Sequence, residues 1–544
     1  MQVIWGSDLQ SKALDQWTRD LPIIARRGQI VDTNGVVLAG NKTTYSIFVR
    51  PRSVVDDEYT AEILANALNL EKDKVLEKIS QKKISEITLK RQVEEKIVQS
   101  LDGLNLGGVY WSRDNSRVYP YGNLLSQVLG FTSSDSHGQS GLEAEYDKYL
   151  KGLNGEVLYE ADLLGIELDG STPSYRPATD GLNVKLTIDY EIQEIAESVM
   201  LQAYDTYKPK AARALVLNPQ TGGILAMVNL PGFDLNDVPR EDTALLNTVN
   251  RNGLVVDIYE PGSTFKVLTA AANIEEYLKG NPKAFSPSHV FSSGRTRTVD
   301  GQTIKCWSDH KNGKHSNENL AAALNNSCNP IFVDIALSLG LDTMYDYIKK
   351  FHYGMVTGID FSGEAQGMVL PQSLVKNCDL ARIGFGQTIA VTPLQLALAT
   401  AAAINGGVYY KPYLVQEIYS ADGRTAEIIN PMKQGRVISE EASVILREML
   451  EGVVKNGSGK HAYVEGYRVG VKTGTAQKYE NGRIASGKYV SSFVGFFPAN
   501  NPQYLALIIV DEPVGANYGS IVAAPQAQKI FQGIISAKGL LPVE

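Results

Sequence analysis

Four apolar, strand-length runs bracket the C-terminal part of this chain, and their placement constrains its fold more than any other feature. Ala214-Leu-Val-Leu-Asn-Pro-Gln-Thr-Gly-Gly-Ile-Leu-Ala-Met-Val228 reads as two runs split by a turn, a hairpin. A matching pair, Ser492-Phe-Val-Gly-Phe-Phe-Pro498 and residues 504–511, closes the chain ahead of a terminal helical pattern. The patterns between the two pairs are mostly helical. Strands so far apart in sequence share a sheet only if the helices between them are inserted, so the expected fold is α+β, an antiparallel sheet with its helices in the middle.

At 544 residues the chain is too long for one core, which predicts two or three domains. A strand-like run, Val184-Lys-Leu-Thr-Ile-Asp-Tyr190, gives way to a helical pattern over residues 191–203, and the boundary is placed there, dividing the chain into 1–185 and 186–544. The first part carries many turn signals, two charge-rich helical stretches at 60–79 and 92–101, and no clustered nucleophile, base and oxyanion donor. It reads as a spacer or docking region. With 43% hydrophobic and 21% charged residues the composition is that of a globular protein. A net charge of −8 gives no footprint for nucleic acid, and no apolar run is long enough to span a bilayer. The opening Met-Gln-Val-Ile-Trp-Gly-Ser lacks the basic start and apolar middle of a signal peptide, so any export or anchor segment is expected outside these residues.

Chemistry concentrates in three fragments. Pro261-Gly-Ser-Thr-Phe-Lys266 precedes the helical run Val267-Leu-Thr-Ala-Ala-Ala272. If Ser263 starts that helix, Lys266 lies one turn on and on the same face, where its amine can take the serine proton. The helix N-terminus adds backbone N–H groups near a developing oxyanion. Ser-x-x-Lys alone occurs by chance in chains of this length, and so do the other two fragments singly: Asn326-Ser-Cys-Asn-Pro330 and Val471-Lys-Thr-Gly-Thr-Ala476, the latter after a strand-like run at 467–471. In this order they are a specific signal, because Ser-x-x-Lys, a Ser-x-Asn-like element and Lys-Thr-Gly are shared by penicillin-binding proteins and class A β-lactamases.

On these residues the chain resembles the class B penicillin-binding proteins, monofunctional DD-transpeptidases of the bacterial cell wall. Arg27-Gly-Gln-Ile-Val-Asp-Thr-Asn-Gly35 looks like a box of that family, with Thr33 where Arg is usual, and Gly141-Leu-Glu-Ala-Glu-Tyr146 with Leu150-Lys-Gly152 looks like another. Gly384-Phe-Gly-Gln-Thr-Ile-Ala-Val-Thr-Pro-Leu-Gln395 and Phe493-Val-Gly-Phe-Phe-Pro498 are similar to stretches flanking the family's active site. The resemblance implies an extended, mostly β pedestal before a penicillin-binding/β-lactamase-like domain. It implies that Ser263 is acylated by a stem peptide at the penultimate D-Ala, and that an amine of a second stem resolves the acyl-enzyme into a cross-link. Lys266 would be the base, its pKa depressed by burial and by Lys472. Ser327 and Lys472 would pass the proton to the leaving amine, while Asn329 holds the substrate amide. The N–H groups of Ser263 and Thr475 would form the oxyanion hole, and the Thr473-Gly474-Thr475 run would face the substrate carboxylate. β-Lactams would acylate the same serine. A SEDS-type membrane glycosyltransferase would be the partner, at the extracytoplasmic face of the membrane, with a single N-terminal anchor. A class A β-lactamase carries the same motifs on one compact domain and uses a Glu to activate water, so a hydrolase or a penicillin sensor is the competing class.

Asp15-Gln-Trp-Thr-Arg-Asp-Leu-Pro22, Lys305-Cys-Trp307 and Ser327-Cys-Asn329 look most like the stage V sporulation protein D group, which implies a role in spore cortex synthesis; a vegetative division or elongation enzyme is the alternative. Three readings stay open for Cys306, one of three cysteines in the chain. It is a buried packing residue; or it pairs with Cys328 as a redox couple, as the resemblance allows; or Cys306, Asp309, His310, His315 and Cys328 supply the four ligands of a structural zinc near the Ser-Cys-Asn fragment. The extra imidazole and carboxylate in this loop are what a redox pair does not need. Family catalysis itself needs no metal.

Overall fold

A computed structural model describes residues 18–160, 174–292, 294–308, 315, 317–480 and 483–542. In the N-terminal part a long strand, Val37–Val49, is flanked antiparallel by Ile87–Val93 and Val109–Val118. Helices Asp57–Leu68, Lys72–Ile79 and Glu95–Leu101 pack over it and close a small separate core around Ile47, Leu64, Leu68, Val75, Ile79 and Val98. The first helix starts where Asp56 accepts the Tyr59 N–H at 3.0 Å. The expected helical stretch at 92–101 begins at Glu95, because residues up to Val93 are held in the sheet.

The sheet continues across the expected boundary. Asn183–Leu186 pairs in parallel with Ile30–Val31 on one side and antiparallel with Val415–Tyr419 on the other. Asp32 reinforces the joint, accepting the Tyr190 N–H at the start of α1 (Tyr190–Tyr207) at 3.0 Å. The two boxes read in the N-terminal sequence meet here as one buried ion cluster. Glu143 accepts from Arg27 Nε and from Arg117 Nε, each at 2.6 Å, and Arg27 Nη1 reaches Asp147 at 2.6 Å. Glu143 is 0% exposed and Arg27 3%.

The C-terminal part is built on β1 (Ala211–Leu217), β2 (Ile224–Leu230), β3 (Gly470–Glu480), β4 (Arg483–Phe497) and β5 (Tyr504–Asp511). Their spatial order is β2-β1-β5-β4-β3, antiparallel throughout, so the first hairpin and the closing strands meet as their patterns predict. Residues 467–469 lie outside β3, which begins at Gly470; the Tyr467 hydroxyl bonds the Leu540 carbonyl instead. The inserted helices include α2 (Lys266–Leu278), α3 (Leu320–Asn326), α4 (Asn329–Leu339), α5 (Pro393–Ile404) and α6 (Glu440–Asn456). Every residue of α5 is buried: most are Ala and Leu, and its two polar side chains are hydrogen-bonded, Gln395 to the Met355 and Gln366 carbonyls and Thr400 to the Leu396 carbonyl. The terminal helix α7 (Ala524–Lys538) packs on α1, where Lys538 pairs with Asp189 and Glu191 at 2.7 Å. No helix among the described residues is long and apolar enough to cross a membrane.

Replacing Glu143 with Ala leaves two buried guanidinium groups without their carboxylate and should lower unfolding stability by about 3–5 kcal/mol. Lys42→Ala, which breaks an exposed pair with Glu94, should cost less than about 1 kcal/mol. Urea unfolding of the two variants side by side checks the contrast.

Candidate active site

Ser263 lies in a 3-10 turn, Gly262–Phe265, and the α-helix proper starts at Lys266. The tighter turn suits the chemistry, because residues three apart eclipse in a 3-10 turn and Ser263 and Lys266 share a face. Gly262 is left-handed (φ 55°), and its N–H donates to the Gly386 carbonyl at 2.9 Å. Gly386 is also left-handed (φ 85°), and a Cβ there would stand 2.1 Å from the Gly262 oxygen. The stretch 384–395 therefore presses backbone to backbone against the serine turn.

Lys266 and Lys472 are 0% and 1% exposed. Lys266 Nζ donates to the Ser327 carbonyl at 2.7 Å, to Ser327 Oγ at 3.1 Å and to Asn329 Oδ1 at 2.7 Å. Lys472 Nζ donates to the same Ser327 Oγ at 3.0 Å and to the Thr473 carbonyl at 2.9 Å. Ser327 adopts a left-handed conformation (φ 56°) between α3 and α4, which turns both its carbonyl and its hydroxyl toward the lysines. Burial lowers the Lys266 pKa to about 8, against the upward pull of Cys306, Cys328 and Glu318. The expected effect of Lys472 on Lys266 is not what depresses it. Burial drives Lys472 well below the usual lysine range, and the charge of Lys266 adds to that.

Lys472, Thr473, Gly474 and Thr475 lie on β3, the edge strand of the sheet, so the strand's outer backbone faces the site. Thr473 shares a 2.8 Å hydrogen bond with Ser458, and Thr475 Oγ1 accepts the Gly519 N–H at 3.0 Å. Asn329 Nδ2 donates to the Lys305 carbonyl at 3.2 Å. A cleft of about 270 Å³ is lined by Ser263, Ser327, Asn329 and the 473–475 run, and by Trp307, Phe385, Gln387, Ser458, Tyr518 and Ser520. Ser458, Tyr518 and Ser520 carried no sequence signal. Ser458 sits in an Asn-Gly-Ser-Gly turn, and its N–H bond to the Asn325 carbonyl (3.1 Å), with the hydroxyl bond to Thr473, holds it at the cleft.

Of the five candidate metal ligands, Cys306, His315 and Cys328 come together, all buried, with their ligand atoms within 4.8 Å of one another. Cys306 Sγ lies 3.7 Å from His315 Nδ1. A tetrahedral zinc with bonds of about 2.0–2.3 Å spaces its ligand atoms by roughly 3.5 Å, so the thiol and imidazole are near that spacing. Asp309 and His310 lie outside the described residues. Neither thiol is part of a disulfide, and contact with Cys306, then burial, raises the pKa of Cys328.

Residues 212–532 match the penicillin binding protein transpeptidase domain, and 22–186 match the penicillin-binding protein dimerisation domain. The chain belongs to the penicillin-binding protein transpeptidases. It is 40% identical over its whole length, and over 83% of the relative, to stage V sporulation protein D of Bacillus subtilis (strain 168). It is 28% identical to the peptidoglycan D,D-transpeptidase FtsI of Escherichia coli (strain K12), over 95% of this chain and 84% of that one. Among solved structures, a peptidoglycan synthetase from Bifidobacterium adolescentis superposes with a TM-score of 0.76 at 27% identity, covering 97% of this chain and 98% of that one.

A lysine that takes a proton must be neutral, so acylation of this penicillin-binding domain should rise with pH to a plateau, half-maximal near the Lys266 pKa of about 8. Stopped-flow acylation by a chromogenic β-lactam from pH 6 to 10 measures it; a midpoint near the ordinary lysine value would contradict it. Gly386→Ala should displace the serine turn and slow the same reaction on the order of 100-fold.

Proposed function

We propose that the chain is a DD-transpeptidase that cross-links peptidoglycan stem peptides through an acyl-enzyme on Ser263. The observation that carries this reading is Ser327 Oγ, held between Lys266 Nζ and Lys472 Nζ at the wall of the cleft that Ser263 lines. Neutral Lys266 takes the Ser263 proton, and Oγ attacks the carbonyl of the penultimate D-Ala. The oxyanion falls against the N–H groups of Ser263 and Thr475. Lys472, through Ser327, delivers the proton to the departing D-Ala amine as the C–N bond breaks. Asn329 positions the substrate amide, and Thr473, Gly474 and Thr475 receive the terminal carboxylate. A β-lactam acylates the same serine. No acidic side chain lines the 270 Å³ cleft among the described residues, which favours a transferase over a hydrolase that activates water with Glu.

Residues 1–185 are proposed as the pedestal and 186–544 as the catalytic domain. The full-length likeness to a stage V sporulation protein supports a role in spore cortex synthesis, with a SEDS-type glycosyltransferase as partner on the extracytoplasmic face of the membrane. Cys306, His315 and Cys328 are proposed to hold a structural zinc that fixes the Ser327 segment, with Asp309 or His310 as the fourth ligand.

Ser263→Ala should abolish covalent labelling by fluorescent penicillin while the circular dichroism spectrum stays that of the wild type; retained labelling would refute the assignment. Elemental analysis of reduced protein should give about one zinc per chain, lost in Cys328→Ser. Absence of zinc from both would leave the thiols as packing residues or a redox pair.

A further inference from the structure

The turn that follows α6 delivers one hydroxyl to the cleft on a backbone that has little freedom. The N–H groups of Gly457 and Gly459 both donate to the Val453 carbonyl, at 3.0 and 3.1 Å, and the Ser458 N–H between them donates to the Asn325 carbonyl at 3.1 Å. Neither glycine has room for a side chain. A Cβ on Gly457 would stand 2.4 Å from the Asn325 oxygen, and one on Gly459 2.3 Å from Val471 Cγ2. The turn is therefore wedged between the end of α3, just before Ser327, and β3, just before Lys472. None of these backbone bonds uses the Ser458 hydroxyl, which bonds Thr473 Oγ1 at 2.8 Å and lines the 270 Å³ cleft.

The hydroxyl protons beside this turn are only partly spent. Ser458 and Thr473 hold two and use one in the bond between them, whichever oxygen accepts, so the other is left for the cleft. Thr475 Oγ1 accepts the Gly519 N–H at 3.0 Å and, among the described residues, donates to nothing, so its proton is left too. Gly519 comes that close because it lacks a side chain: a Cβ there would stand 2.2 Å from the Gly474 oxygen. Thr473 and Thr475 are alternate residues of β3, on the same face and about 7 Å apart along the strand. One carboxylate that accepts an O–H···O bond of about 2.7 Å at each of its two oxygens covers that span.

We propose that Ser458 is a positioning residue for donor recognition: it donates to Thr473 Oγ1 and so turns the Thr473 proton onto the terminal carboxylate of the donor stem. This role rests on the transpeptidase reading above and adds Ser458 to it. A hydroxyl that accepts one hydrogen bond is a stronger donor in the next, and a chain of two that ends on an anion gains from that polarisation. Without Ser458, Thr473 Oγ1 loses the partner that fixes its rotor, and the loss falls on donors that carry the carboxylate.

The test follows acylation of Ser263 by two matched thioester stem donors, one ending in a free carboxylate and one in its methyl ester, through the thiol each releases. Each kcat/KM is divided by that donor's own rate of hydrolysis in buffer. The wild type should favour the carboxylate donor, and Ser458→Ala should cut that preference about 10-fold while acylation by the ester changes less than about 2-fold. Ser458→Thr keeps the hydroxyl and should keep the preference. Ser458→Ala added to Thr473→Ala should lower it no further than Thr473→Ala alone, because the serine acts through the threonine. The preference is a ratio within one preparation, so a smaller folded fraction does not move it. A serine that only held the turn in place would slow both donors together; an unchanged preference in Ser458→Ala, or additive losses in the double variant, would overturn the role. A wild type acylated equally by both donors would overturn the carboxylate assignment and Ser458 with it. A wild type acylated by neither would instead overturn the transpeptidase reading.

Discussion

Two lysine side chains, both withdrawn from water, share one serine hydroxyl, and the rest of the site is arranged around that fact. With Lys266 Nζ and Lys472 Nζ at 3.1 Å and 3.0 Å from Ser327 Oγ, the two amines sit about 6 Å apart at most, and a pair of positive charges at that separation repels by about 3 kcal/mol at an effective dielectric near 20. Loss of hydration is the larger effect: it lowers Lys266, and for Lys472 the charge of Lys266 adds to it, so the site holds two full charges only at considerable cost and a neutral amine is available beside Ser327. The same constraint explains the left-handed Ser327. Only a break between α3 and α4 presents the hydroxyl and the carbonyl of one residue to one amine.

The scaffold brings together parts that are distant in sequence. β3 supplies Lys472 from the sheet edge, α2 supplies Lys266 from the helical half, and the serine turn is pinned by the Gly262–Gly386 backbone contact. The N-terminal half is joined to this body by shared strands and by a capped helix rather than by side chains alone.

What was legible in the sequence follows from local physics. The hairpin at 214–228 and the closing strands announce themselves through apolar runs and turn residues, and they meet in one sheet with the helices between them inserted. The Ser-x-x-Lys, Ser-Cys-Asn and Lys-Thr-Gly fragments carried the site because each is short and chemically explicit. The loop at 304–315 was half legible. Its thiol and second imidazole do converge with Cys328, but nothing in the spacing says which of five donors do so. Ser458 was not legible as part of the site, since only tertiary packing brings it to the cleft. The strand-like pattern at 467–471 begins three residues before pairing to β4 does, so it places the start of β3 too early. Of the two causes expected for the Lys266 shift, burial holds and the charge of Lys472 does not, because how deep each amine lies is a property of the fold and not of the motif.

The most direct test of the shared-hydroxyl account is the titration of Lys266 itself. With lysine Cε labelled with carbon-13, the Lys266 resonance, assigned by its loss in Lys266→Arg, should titrate near pH 8, well below the ordinary lysine value. A Lys266 resonance that titrates at about 10.4 with the surface lysines would show that this amine is an ammonium ion at neutral pH, and the account of how Ser263 is activated would be wrong.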